Sequence, residues 1–82
     1  MSARLMSRSG AVTALDIAAG GSVQVGPGTT IAREGDLLWL VADGTQPDGA
    51  TCLNGRRITR ELLRHLDVIT IGRAADLIYL AT

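Results

Sequence analysis

The chain has 82 residues, eight of them arginine and none lysine, balanced by eight acids to a formal net charge of zero. That length admits one core, which buries only about 60–65% of the surface the unfolded chain exposes. Neutrality argues against a dedicated binder of nucleic acid or of acidic membranes. The lone cysteine forms no internal disulfide, and with one histidine there is no set for zinc. No apolar run nears the roughly 18 residues that span a membrane, so no membrane insertion is expected. The segment Met1–Met6 lacks an apolar signal core, which makes the cytoplasm the expected compartment. A small interaction domain without cofactor, and not an enzyme, is the class this composition suits.

Residues 1–10 mix serine, arginine and glycine without a period and read as a flexible arm or an added edge segment. Residues 11–17 and Ser22–Gly26 read as two strands of a hairpin joined at Gly20-Gly21. Gly26-Pro27-Gly28 ends the second strand, because proline removes a ladder donor. It lacks the Gly-Lys-Ser/Thr ending and the following helix of a phosphate-binding loop, which leaves a plain turn as the first reading and a phosphate cradle as the alternative. Thr29–Arg33 is a short strand and Glu34-Gly35-Asp36 a turn. Leu37–Ala42 is the most apolar stretch and suits a buried strand with Trp39 in the core. Residues 43–49 form a loop on composition alone, and loops are where recognition concentrates.

Ala50–Leu53 and Arg56–Thr59 flank Asn54-Gly55, a pair that accepts the positive φ of a type I′ hairpin turn. Residues 60–66 carry Leu62, Leu63 and Leu66 at helical spacing but are too few for a helix, so a turn or one 3₁₀-like loop packed on the core is expected. Residues 67–72 alternate, with Val68 and Thr70 on one face and Ile69 and Ile71 on the other. Asp76–Leu80 closes the chain. Seven or eight short strands point to an all-β antiparallel sandwich over residues 11–82. A β-grasp fold also suits the length, but it normally ends in Gly-Gly where this chain ends Leu80-Ala81-Thr82. A small ribosomal-type RNA-binding module would need two basic helices ahead of the hairpin, and none is read there.

Thr51-Cys-Leu-Asn-Gly-Arg-Arg-Ile, a spacer, Leu63-Arg-His-Leu-Asp-Val-Ile-Thr-Ile-Gly and Leu77-Ile-Tyr-Leu together resemble the end of a forkhead-associated domain. Leu15–Gly26 is similar to that family's opening hairpin. The resemblance implies a β-sandwich and a phosphopeptide-recognition surface. Three family positions differ. Pro27 follows Gly26 where the family places an arginine, no Ser-x-x-His segment follows, and Gly49 stands where an asparagine is usual. The interval from Gly26 to Asn54 is also shorter, by about a strand and a loop.

Charge is uneven. Arg56, Arg57, Arg60, Arg64 and Arg73 gather near the hairpin against Glu61 and Asp67, while residues 31–50 set Glu34, Asp36, Asp43 and Asp48 against Arg33. Arginine forms bidentate contacts with carboxylate or phosphate, so the basic hairpin suits an acidic protein partner or the acidic region of a second copy. Cys52, His65 and Asp67 would have to converge in a cleft to act as a catalytic set, and Cys52 is expected to pack instead. No catalytic, cofactor or metal residue is assigned. The partner-binding candidates are Thr51, Asn54, Arg56, Arg57 and Arg60. The expected function is a non-catalytic interaction or assembly module without phosphothreonine binding. The alternatives are a phosphopeptide-binding module acting through Thr51, Arg56 and Arg57, and a structural subunit of a larger particle.

Overall fold

The computed structural model describes residues 3–43, 51–72 and 75–81. Ten strands appear in chain order: β1 (Ala3–Ser7), β2 (Val12–Ala14), β3 (Ser22–Gly26), β4 (Thr29–Glu34), β5 (Leu37–Ala42), β6 (Thr51–Leu53), β7 (Arg56–Arg57), β8 (Arg60–Leu62), β9 (Val68–Ile71) and β10 (Ala75–Ala81). They form a six-stranded sheet in the order β2-β1-β10-β9-β6-β7 and a four-stranded sheet in the order β3-β4-β5-β8. Every pairing is antiparallel. No helix occurs among the described residues, and the β-grasp alternative, which packs a helix across its sheet, therefore falls.

The core lies between the sheets. Leu5, Leu53, Ile69, Ile71 and Tyr79 come from the larger sheet, Ile31 and Leu40 from the smaller, and Ile17 and Leu63 from connections. The alternation expected in β9 holds: Ile69 and Ile71 are fully buried while Val68 is exposed and Thr70 half-buried. Burying each such side chain contributes about 1.5–3 kcal/mol. Gly26 is held small by this core, because a Cβ there would stand 2.7 Å from Ile71 Cδ1.

Four local expectations are corrected. First, residues 3–7 are not a flexible arm. They form β1 between β2 and β10, in register from Ala3↔Ala81 to Ser7↔Leu77. Leu5 is the only residue of β1 that is buried, too sparse an anchor to show as a period. Arg8-Ser9-Gly10 makes the turn into β2, with Gly10 at φ +90° and Ser7 N–H bonded to Ala11 O at 2.8 Å.

Second, residues 11–17 and Ser22–Gly26 do not form a hairpin with each other. β2 pairs with β1, and β3 lies in the other sheet. The connection carries Ile17 into the core and turns at Gly21, whose N–H reaches Ala18 O at 2.8 Å. Arg33 braces it, donating from Nη1 to Ile17 O at 2.9 Å and from Nε to Gly35 O at 2.8 Å. The glycine pair does mark a turn, but Ile17 ahead of it packs in the core and joins no ladder.

Third, the turn expected over residues 60–66 is confined to their second half, where Leu63 packs on the core. Residues 60–62 are β8, paired with β5 from Val41↔Arg60 to Trp39↔Leu62. Leu63 then buries, and its N–H bonds Leu38 O at 2.9 Å. Fourth, β5 is covered on one face only. Leu40 is fully buried, but Trp39 is half-buried and Leu37 exposed.

Candidate functional site

The hairpin β6–β7 forms as its Asn-Gly pair predicts, with Asn54 at φ +52° and Gly55 at φ +82°. It ends the six-stranded sheet, so one flank of β7 is free among the described residues. Beside it lies a groove of about 380 Å³ whose lining includes Asn54, Arg56, Ile58, Glu61, Arg64 and Asp67. It lies where β7, the outermost strand of one sheet, approaches β8, the outermost strand of the other.

Each predicted residue can now be placed. Asn54 is consumed by structure. Its Oδ1 accepts the Val68 N–H at 2.9 Å, its Nδ2 donates to Asp67 Oδ1 at 3.0 Å, and its own N–H reaches Val68 O at 2.8 Å. Asp67 in turn accepts the Arg64 N–H at 2.8 Å on Oδ2. These bonds tie the hairpin tip to the start of β9.

Thr51 is buried, at the opposite end of β6. Its hydroxyl lies 2.6 Å from that of Thr29, which also reaches Pro27 O at 3.1 Å. A hydroxyl donates once, so Thr29 donates to Pro27 and accepts from Thr51. The pair joins the inner faces of the two sheets, and losing one partner would strand a buried group at about 1–3 kcal/mol.

Arg60 belongs to a different surface. Its guanidinium lies over the Trp39 ring at 4.1 Å from the centroid and donates to Glu34 Oε2 at 2.8 Å. The basic and acidic regions read from the sequence are therefore joined here by an ion pair. Of the candidate arginines, Arg56 and Arg57 are exposed and have no ion pair among the described residues. As neighbours on a strand they point to opposite sides of it. Arg73 and Asp48 lie outside the described residues, as does all of the expected recognition loop except Asp43.

The Cys52, His65 and Asp67 set is not assembled as a catalytic unit. Cys52 sits between the buried Thr51 and Leu53 and so faces outward from its sheet. His65 Nδ1 accepts the Ala81 N–H at 3.0 Å, and Asp67 serves the hairpin. No cluster of three metal-ligating side chains occurs among the described residues. The sequence reading missed Thr29, Glu34 and Trp39 as partners of Thr51 and Arg60. Nothing local marks those pairs, because each forms only once the strands are in place.

Two solved structures share this whole architecture. One, from a structural and functional analysis of phosphothreonine-dependent FHA domain interactions, matches with a TM-score of 0.81 at 21% identity, over 100% of this chain and 98% of that one. The chain has the fold of a forkhead-associated domain. The Rv0020c FHA structure is also similar, with a TM-score of 0.74 at 19% identity over 96% of this chain and 91% of that one. Neither a family model nor a curated protein matches the chain. Within this forkhead-associated fold, the chain turns tightly after Gly26. β3 passes to β4 through Pro27-Gly28 alone, with Gly28 at φ +62°. Where the resemblance called for an arginine, Pro27 opens a two-residue turn.

Proposed function

We propose that this chain is a non-catalytic protein–protein interaction module of forkhead-associated fold, which meets an acidic partner surface through Arg56 and Arg57 and does not read phosphothreonine. One observation carries the reading. The polar side chains of the hairpin that could face a ligand are spent inside the molecule: Thr51 on Thr29, and Asn54 on Val68 and Asp67. That leaves two unpaired guanidinium groups on a short strand at the margin of a sheet. Such groups dock readily on carboxylates, and they steer association more than they fix affinity. The two-residue β3–β4 turn supports the same reading, since it offers no loop to surround a phosphate.

Two measurements test this. Titration with a phosphothreonine peptide library and its unphosphorylated counterpart should show no binding that depends on the phosphate. Micromolar, phosphate-dependent binding would replace this reading with the phosphopeptide module. A partner captured by the wild-type chain should be lost by Arg56→Glu/Arg57→Glu and retained by Arg4→Glu, which reverses an exposed charge on β1. Equal loss in both variants would mean that the hairpin is not the contact.

A further inference from the structure

The outer face of the four-stranded sheet is apolar at its centre. Leu37 and Trp39 point outward from β5, and Ala32 on β4 and Leu62 on β8 lie opposite Trp39. Leu37 is 48% exposed and the other three are half-buried. Two charges complete this face. Glu34 sits opposite Leu37, one strand to one side of Trp39 and two residues towards one end. Arg60 sits opposite Val41, one strand to the other side and two residues towards the other end. Trp39 therefore stands midway between an acid and a base on one diagonal of the sheet. Within one chain the Arg60 side chain folds back along that diagonal, over the Trp39 ring, to reach Glu34. Both charged side chains stay open to solvent, 53% for Arg60 and 71% for Glu34, and so exposed a bridge contributes little.

We infer that this face packs against the same face of a second copy. The twofold axis lies parallel to the sheet, passes over Trp39 and runs perpendicular to the diagonal. A twofold interface requires a surface that is its own complement, and a diagonal that reads acid, tryptophan, base is one. The rotation sets Arg60 of each copy over Glu34 of the other, and Trp39 over its counterpart. Leu37 then comes near Leu62 of the second copy, and Val41 near its Ala32. Arg60 exchanges its own carboxylate for the one that faces it, and the two indoles meet at the axis. Tryptophan and arginine are the residues that anchor such contacts, and facing opposite charges fix their register. A net charge of zero adds no long-range repulsion between copies. Arg56 and Arg57 belong to the other sheet, so this contact stands or falls independently of the proposed partner surface.

A charge swap tests this. Sedimentation of the wild-type chain from micromolar to millimolar concentration should show a monomer–dimer equilibrium. Trp39 is the single tryptophan, and its emission should move to shorter wavelength as the dimer forms. Glu34→Arg alone and Arg60→Glu alone each set like charges against one another across the axis, and each should shift the midpoint at least tenfold towards monomer. An equimolar mixture of the two should restore the dimer, because both contacts then join opposite charges. The bridge within one chain is broken in both variants and cannot supply that rescue. Leu37→Ser, at an exposed position, is a second disruption, and Arg4→Glu, on the other sheet, should leave the dimer unchanged. Circular dichroism checks that each variant is folded. A wild-type chain that stays monomeric throughout overturns the inference. So does a dimer that both single variants leave intact, because it would then form elsewhere. A mixture that stays monomeric after each single variant has disrupted the dimer overturns it too.

Discussion

The tip of the β6–β7 hairpin and the outer face of β5 follow opposite rules. At the tip, both polar atoms of the Asn54 side chain are bonded, and its carboxylate neighbour Asp67 is held by two donors. On β5, apolar residues point both ways. Leu38 and Leu40 face the core, while Leu37 and Trp39 face outward, Trp39 beneath the Arg60 guanidinium, and the buried Trp39 Nε1–H has no acceptor among the described residues. One region is specified by polar pairs with fixed geometry. The other is specified by the burial of one face, and its second face is only half finished. Polar satisfaction gives a site one conformation, whereas an outward tryptophan tolerates replacement.

Substitutions along β5 give the largest effects and test that difference directly. Leu40→Ala empties a fully buried site and should cost about 2–5 kcal/mol. Trp39→Ala, although it removes a larger side chain, should cost less than Leu40→Ala because Trp39 is only half-buried. Trp39→Phe should be close to neutral, since it deletes a donor that has no acceptor. Urea denaturation measures all three. A Trp39→Ala cost above that of Leu40→Ala would mean that the outer face is as structural as the core.

Asn54 comes next and tests the polar side of the comparison. Asn54→Ala should cost about 2–3 kcal/mol, because it loses two side-chain hydrogen bonds and leaves alanine at positive φ. Asn54→Gly keeps the backbone relaxed, so its smaller cost isolates the hydrogen bonds. Equal costs for the two variants would show that backbone strain contributes little.

What the sequence revealed follows the same division. The Asn54-Gly55 turn, the alternation of β9 and the sandwich class were legible because each is carried by neighbours in the chain. β1 and β8 were not, since β1 has a single buried residue and β8 none, and each takes its strand form from its partner, β10 or β5. The Ala18–Gly21 turn was visible, but its destination in the other sheet depended on where Ile17 packs. Among the candidate residues, chemistry was legible and orientation was not. Thr51 and Asn54 were picked as ligand contacts, and both turned inward to partners 22 and 13 residues away.

Tyr79 gives a smaller effect, confined to alkaline solution. Burial, and secondarily the nearby Asp67 carboxylate, hold its phenol above the ordinary value of 10.0. Below pH 10 both folded and unfolded chains keep the proton, and the contribution to stability is constant. As pH rises past 10 the unfolded chain releases it first, so stability falls until the folded phenol also ionises. Stability measured from pH 8 to 11 should decline for the wild type and decline less for Tyr79→Phe. Parallel curves would mean that other groups govern the alkaline limb.

Leu66 gives the smallest effect, and the only one expected to stabilise. It sits at φ +73° and is 60% exposed, so it carries backbone strain while burying little in return. A non-glycine residue in that conformation loses about 1–2 kcal/mol. The turn holds because Leu66 N–H bonds Tyr79 O at 2.7 Å and Asp67 N–H bonds Arg64 O at 3.0 Å. Both are backbone bonds that any residue can make. Leu66→Gly should therefore keep the turn and relieve the strain, offset by about 0.5–1 kcal/mol of extra freedom in the unfolded chain. The net gain should be about 0.5 kcal/mol, seen as a higher urea midpoint at unchanged slope. Leu66→Val should move the other way, because a β-branched side chain fits positive φ worst. If glycine destabilises and valine does not, the Leu66 side chain is held by packing and not by its exposed turn.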